Sequence, residues 1–176
     1  RFRGLTAKSV QEINRGVILR MIYERRLCSR SEIAQGSGLD ASTVTRVVQQ
    51  LVDDRIVEES ILQKVENQRG RRSIGLKMAA DPHRVLVVRL QRLNFKVAML
   101  DLTGSILKSI EIPVNSVSTA ENIFDRIVES LNSFLGLCKE NLVGIGITLP
   151  GPFLEDSERI VLITESPDWH QFDLIK

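Results

Sequence analysis

Ser29-Arg30-Ser31-Glu32-Ile33-Ala34-Gln35-Gly36-Ser37-Gly38-Leu39-Asp40-Ala41-Ser42-Thr43-Val44-Thr45-Arg46-Val47-Val48 is the stretch that decides the fold of the front of this chain. Ser29 with Glu32 three residues on is a capping box, so a helix is expected to start there. Gly36 and Gly38 end it within two turns. Asp40 can cap a further helix from Ala41 to about Asp54, with Val44, Val47, Val48 and Leu51 on its inner face. Small Ala34 lets two crossing helices approach closely, and Gly38 can take the left-handed conformation that turns the chain sharply. A small residue, a glycine and two aliphatics in this register are what a helix-turn-helix demands.

Working outward, residues 7–26 carry Val10, Ile13, Val17, Ile18, Met21 and Ile22 at the three- and four-residue spacing of an amphipathic helix. Downstream, Ile56–Ile61 and Ser73–Met78 read as two strands around a polar stretch ending in Arg69-Gly70-Arg71-Arg72. Two strands with a basic, glycine-containing tip make a wing, whose backbone at Gly70 can lie close to DNA while the arginines reach phosphates or a narrow minor groove. A solvated basic hairpin is the bland alternative. On the third helix Ser42, Thr43, Thr45, Arg46 and Gln49 face away from the aliphatic stripe and suit base edges and phosphates. Arg30, at the start of the second helix, is counted with them, and Thr43 and Arg46 are the strongest candidates.

Charge agrees with this reading. Residues 1–80 hold 15 Lys/Arg against 9 Asp/Glu, whereas residues 81–176 hold 9 against 13. The overall net charge of +2 thus conceals a basic front suited to a polyanion and an acidic rear. No apolar run is long enough to span a membrane and no signal peptide opens the chain, so a cytoplasmic location without membrane partners is expected. Cys28 and Cys138 lie in unrelated segments and read as reduced core thiols, and no metal or cofactor is expected.

From Arg84 the pattern changes to strands at 85–88, 95–100 and 106–112, with a turn at Asp101-Leu102-Thr103-Gly104. A helix follows to about Glu140, read as capped by Ser118 with Glu121, its buried stripe formed by Ile123, Phe124, Ile127, Leu131, Phe134, Leu135 and Cys138. The nearly all-apolar Leu142–Ile147 reads as a strand buried on both faces, and runs into Pro150-Gly151-Pro152. The fold class is therefore α/β: a winged helix-turn-helix over residues 1–80, then a partial ribonuclease-H-like, actin-like βββαβ lobe over residues 81–176.

The stretch from Asn14 to Met78 resembles the winged-helix domain of ROK-family (repressor and sugar kinase) regulators. The resemblance is carried by Asn14 with Ile18-Leu19, Ser29-Arg30-Ser31-Glu32-Ile33-Ala34, Gly38-Leu39, Thr43-Val44 and Gly70-Arg71-Arg72. Val143-Gly144-Ile145-Gly146-Ile147 with Pro150-Gly151-Pro152, and then Ser166-Pro167-Asp168-Trp169, are similar to that family's sugar-domain segments. It implies a dimeric repressor of sugar uptake or metabolism genes that binds operator DNA, with Pro150 and Gly151 lining what is present of a sugar cleft. An ordinary strand-ending turn is the equal alternative for those two residues. His170, after Trp169, would lie near a sugar in that fold.

Two departures bear on function. The kinases of the family carry Asp-x-Gly-Gly-Thr between their first two strands, whereas Arg89-Leu90-Gln91-Arg92-Leu93 stands here. Without a glycine or carboxylate that segment cannot wrap a phosphate tail or organise magnesium, so no catalytic residue is assigned. The chain is also roughly half the family's length, which leads us to expect a fragment or a truncated product in which tight effector binding fails. The remaining alternatives are a sugar kinase with a DNA-binding appendage, and a regulator acting through mixed dimers with a full-length relative.

Overall fold

The computed structural model describes residues 6–61, 74–91, 93–114, 119–148, 153–154 and 159–160. The chain divides into two compact units, Arg1–Pro82 and His83–Lys176.

The front unit opens with α1 (Ala7–Arg25), capped by the Thr6 hydroxyl, which accepts from the Ser9 N–H at 3.2 Å. Then follow β1 (Cys28–Ser29), α2 (Arg30–Ser37), α3 (Ala41–Asp53), β2 (Val57–Ile61) and β3 (Ile74–Met78). Each turn between these helices has a local cause. At α2 the Ser29 hydroxyl accepts from the Glu32 N–H at 3.3 Å and the Glu32 carboxylate accepts the Ser29 N–H at 2.7 Å, completing the capping box. Gly38 stops α2 at φ +70°, a left-handed conformation that a side chain would strain. Two residues later Asp40 caps α3.

One core holds the unit together. Ile18 and Ile22 of α1, Ile33 of α2, Val44, Val47, Val48 and Leu51 of α3, and Val57 and Leu76 of the strands are all fully buried. Burying an aliphatic side chain of this size stabilises by about 1.5–3 kcal/mol. Two polar links fasten α1 to α3 at the surface: Arg15 pairs with Asp54 at 2.8 Å and Gln11 meets Gln50 at 3.5 Å. The strands form a sheet of order β1-β3-β2, with Val57 opposite Met78 and Ile61 opposite Ile74.

The structure corrects the expected face of α1. Val10, Ile13 and Val17 are exposed, and the buried positions are Ile18 and Ile22. The six apolar residues cover too much of the helix circumference for one face, and α2 and α3 pack on the Ile18–Ile22 side. Cys28 is a buried thiol in β1, and burial, followed by the Glu32 charge, pushes it up.

The rear unit contains β4 (Arg84–Leu90), β5 (Asn94–Leu100), β6 (Ile106–Pro113), α4 (Ala120–Cys138) and β7 (Leu142–Thr148), followed by the short pair β8 (Phe153–Leu154) and β9 (Arg159–Ile160). The main sheet has the order β6-β5-β4-β7, with β4, β5 and β6 antiparallel and β7 parallel to β4. Leu86, Val88, Phe95 and Val97 from the sheet enclose Ile123, Ile127, Phe134 and Cys138 of α4. Phe124, Leu131 and Leu135 are only partly buried.

Two further expectations are corrected here. The cap of α4 is Thr119, whose hydroxyl accepts from the Asn122 N–H at 3.3 Å. The helix begins at Ala120, which puts Asn122 rather than Glu121 at the third helical position; Ser118 lies outside the described residues. Nor is β7 buried on both faces, since Val143, Ile145 and Ile147 are 59%, 45% and 52% exposed. Among the described residues β7 is an edge strand, and α4 packs over β4 and β5 instead.

Candidate nucleic-acid interface

Helix α3 is amphipathic in the strict sense. Its Val44–Val47–Val48–Leu51 side is sealed in the core, which fixes the direction in which the other side points. Ser42, Thr45, Arg46 and Gln49 are exposed on that outer side and Thr43 is half-exposed. The structure thus brings together the five α3 residues singled out in the sequence.

Their hydrogen bonds differ. Asp40 Oδ1 accepts from the Ser42 hydroxyl and, at 2.9 Å, from the Thr43 N–H; Oδ2 accepts from the Thr43 hydroxyl at 2.8 Å. These donors, led by the Ser42 hydroxyl, hold the Asp40 carboxyl far below the usual carboxylate range. The Thr45 hydroxyl donates back to the Ala41 carbonyl at 2.8 Å, and Gln49 Nε2 donates to Asp53 at 2.9 Å. Arg46 alone of the five has no hydrogen bond or ion pair among the described residues. It is an exposed, unengaged guanidinium at the middle of the helix face.

Arg30 is placed differently. Its guanidinium donates to Glu59 of β2 at 2.7 Å, so it ties the start of α2 to a wing strand. No local signal marks this pairing, because the two residues are brought together only by tertiary folding. The role of Asp40 beyond capping also went unread, although an Asp two residues before a Ser and three before a Thr is a visible signal. The wing strands β2 and β3 pair as expected, but the tip residues Arg69, Gly70, Arg71 and Arg72 lie outside the described residues. So do Pro150, Gly151, Trp169 and His170. His83, at the join, is half-buried. Among the described residues no cluster of His, Cys, Asp or Glu could hold a metal ion, and no helix is long and apolar enough to cross a membrane.

Residues 12–70 match the model of the MarR family. The chain is similar in structure to the crystal structure of a ROK-family transcriptional regulator, a homologue of the Escherichia coli Mlc protein, with a TM-score of 0.65. That match covers 89% of this chain and 40% of the regulator, at 22% identity. The chain has the fold of a ROK-family transcriptional regulator. The chain is 26% identical over 154 residues to the DNA-binding transcriptional dual regulator NagC of Escherichia coli, covering 86% of this chain and 37% of NagC. It is 29% identical over 143 residues to the protein y4fQ of Sinorhizobium fredii, covering 80% of this chain and 36% of y4fQ. The chain thus spans well under half the length of the curated relatives it matches.

Proposed function

We propose that this chain reads operator DNA as part of a sugar-responsive transcriptional repressor. One observation carries the reading: a winged-helix frame presents α3 with Arg46 exposed and unengaged amid Ser42, Thr43, Thr45 and Gln49. Such a helix enters a major groove, where a guanidinium suits the O6/N7 edge of guanine and a carboxamide suits adenine. The wing tip Arg69–Arg72 would then reach phosphates or the adjacent minor groove. Arg30 acts chiefly through Glu59, bracing the wing strand against the helices. A homodimer would set two such helices on half-sites about one helical turn, ~34–36 Å, apart, or a multiple of that.

The effector belongs to the same proposal. The N-acetylglucosamine repressor of Escherichia coli is 26% identical to this chain, and a sugar is the effector class of the proposal. We read the chain as a regulator rather than a kinase, because Gln91-Arg92-Leu93 between β4 and β5 contains no glycine and no carboxylate, and glycine-free backbone cannot wrap a phosphate tail closely.

Footprinting of the purified chain on DNA from upstream of its own gene tests this. Protection of one or two short sites, in register with a helical turn, is expected. Uniform coverage, or none by a folded protein, would remove the operator-reading role.

A further inference from the structure

Three of the α3 hydroxyls have their protons committed within the protein. A hydroxyl carries one proton and two acceptor lone pairs. The Ser42 proton goes to Asp40 Oδ1, the Thr43 proton to Asp40 Oδ2 at 2.8 Å, and the Thr45 proton to the Ala41 carbonyl at 2.8 Å. Toward solvent these groups have only lone pairs left to offer. Asp40 itself is exposed and acceptor-only, because an ionised carboxylate has no proton to give.

We infer that Asp40 sets the hydrogen-bond polarity of the recognition helix, turning Ser42 and Thr43 into acceptors that select the amino-bearing edges of adenine or cytosine. The inference rests on the operator-reading role of α3. In the major groove the donors are adenine N6 and cytosine N4; guanine and thymine offer O6, N7 and O4, which only accept. Phosphate oxygens also only accept. Hydroxyls at the start of a helix that commonly donate to phosphate are therefore withheld from it here, and the Asp40 charge repels phosphate as well. The outward donors left on this face are the Arg46 fork and the Gln49 amide proton not held by Asp53. The face thus reads acceptor at 42 and 43, donor at 46, which matches an amino-bearing base beside a guanine.

Asp40→Asn preserves the cap and the Ser42 bond to Oδ1 while reversing the polarity of Thr43. Asparagine caps as well as aspartate. Its Oδ1 still accepts the Thr43 N–H, but its amide now donates to the Thr43 hydroxyl and turns that proton outward. The test is selection of the purified chain against a random-sequence duplex DNA library, for the natural protein, Asp40→Asn and Thr43→Val, each checked for folding by thermal melt. The natural protein is expected to enrich adenine or cytosine at one or two positions beside a guanine. Asp40→Asn should shift the position read by Thr43 toward thymine or guanine by about fivefold, leaving the Ser42 preference and the Arg46 guanine in place. Thr43→Val, which lacks the acceptor, should flatten the preference at that same position. An unchanged motif in both variants would overturn the inference while leaving operator reading intact. Failure of the folded natural protein to enrich any motif would overturn both.

Discussion

Gly38 and Asp101 show how single residues hold the two units in shape. At φ +70° an L side chain at position 38 costs roughly 1 kcal/mol, so Gly38→Ala should lower stability by about that amount, read by chemical denaturation. The space itself is open, since an added Cβ would meet nothing within 4 Å, so the cost is conformational. Asp101 is nearly buried, which works to raise its pKa. The Thr103 hydroxyl at 2.6 Å, the N–H groups of Ser105 and Thr103, and the Arg84 charge outweigh this and hold it below the usual range. A depressed carboxyl stabilises the fold above its unfolded pKa, roughly 3.9, and loses that contribution as pH falls through the folded value. Asp101→Asn should therefore melt lower than the natural protein at pH 7, with the gap narrowing toward pH 3 in calorimetric scans. A gap independent of pH would mean that shape rather than charge matters there. At this scale the candidate site was largely legible: Ser42, Thr43, Thr45, Arg46 and Gln49 stand out because their residue types state their chemistry. The Arg30–Glu59 pair was not, because 29 residues separate the partners and nothing local links them.

Among the elements, α2 and α3 were readable because their ends are written in local chemistry. Ser29 with Glu32, Gly38 and Asp40 each act within three residues of themselves. Ser29→Ala should cost about 1 kcal/mol, since it leaves an N–H of the first turn without its partner. Leu51→Ala should cost about 2–5 kcal/mol, because the side chain is fully enclosed between α1, α3 and the sheet. Equilibrium unfolding of both variants checks these values. What the sequence could not tell is which face of an element finds a partner. Val10, Ile13 and Val17 on α1, and Val143, Ile145 and Ile147 on β7, are as apolar as core residues, yet they are exposed. Periodicity gives a helix or strand its faces; only the packing of distant segments decides which face is covered. The two-residue β1 was invisible for the same reason, since it exists by pairing Cys28 and Ser29 with Leu76 and Gly75.

The whole molecule consists of two units with separate cores. The front core is closed by residues from Ile18 to Leu76, so residues 1–82 produced alone should fold cooperatively, as followed by circular dichroism. A non-cooperative melt would show that the front unit needs the lobe. The division between a basic front and an acidic rear was visible from charge alone, and under the proposed function the front is the part that would meet DNA. Under the proposed function α3 reads base sequence through Arg46. Fluorescence anisotropy with duplex DNA from upstream of the chain's own gene and with scrambled duplex, at two salt concentrations, tests it most directly when done with and without Arg46→Ala. Selective binding that weakens steeply with salt is expected, and the mutation should cost about 1–3 kcal/mol on the selected site while barely changing binding to scrambled DNA. Equal weakening on both duplexes would reduce Arg46 to a phosphate contact and contradict direct readout by α3.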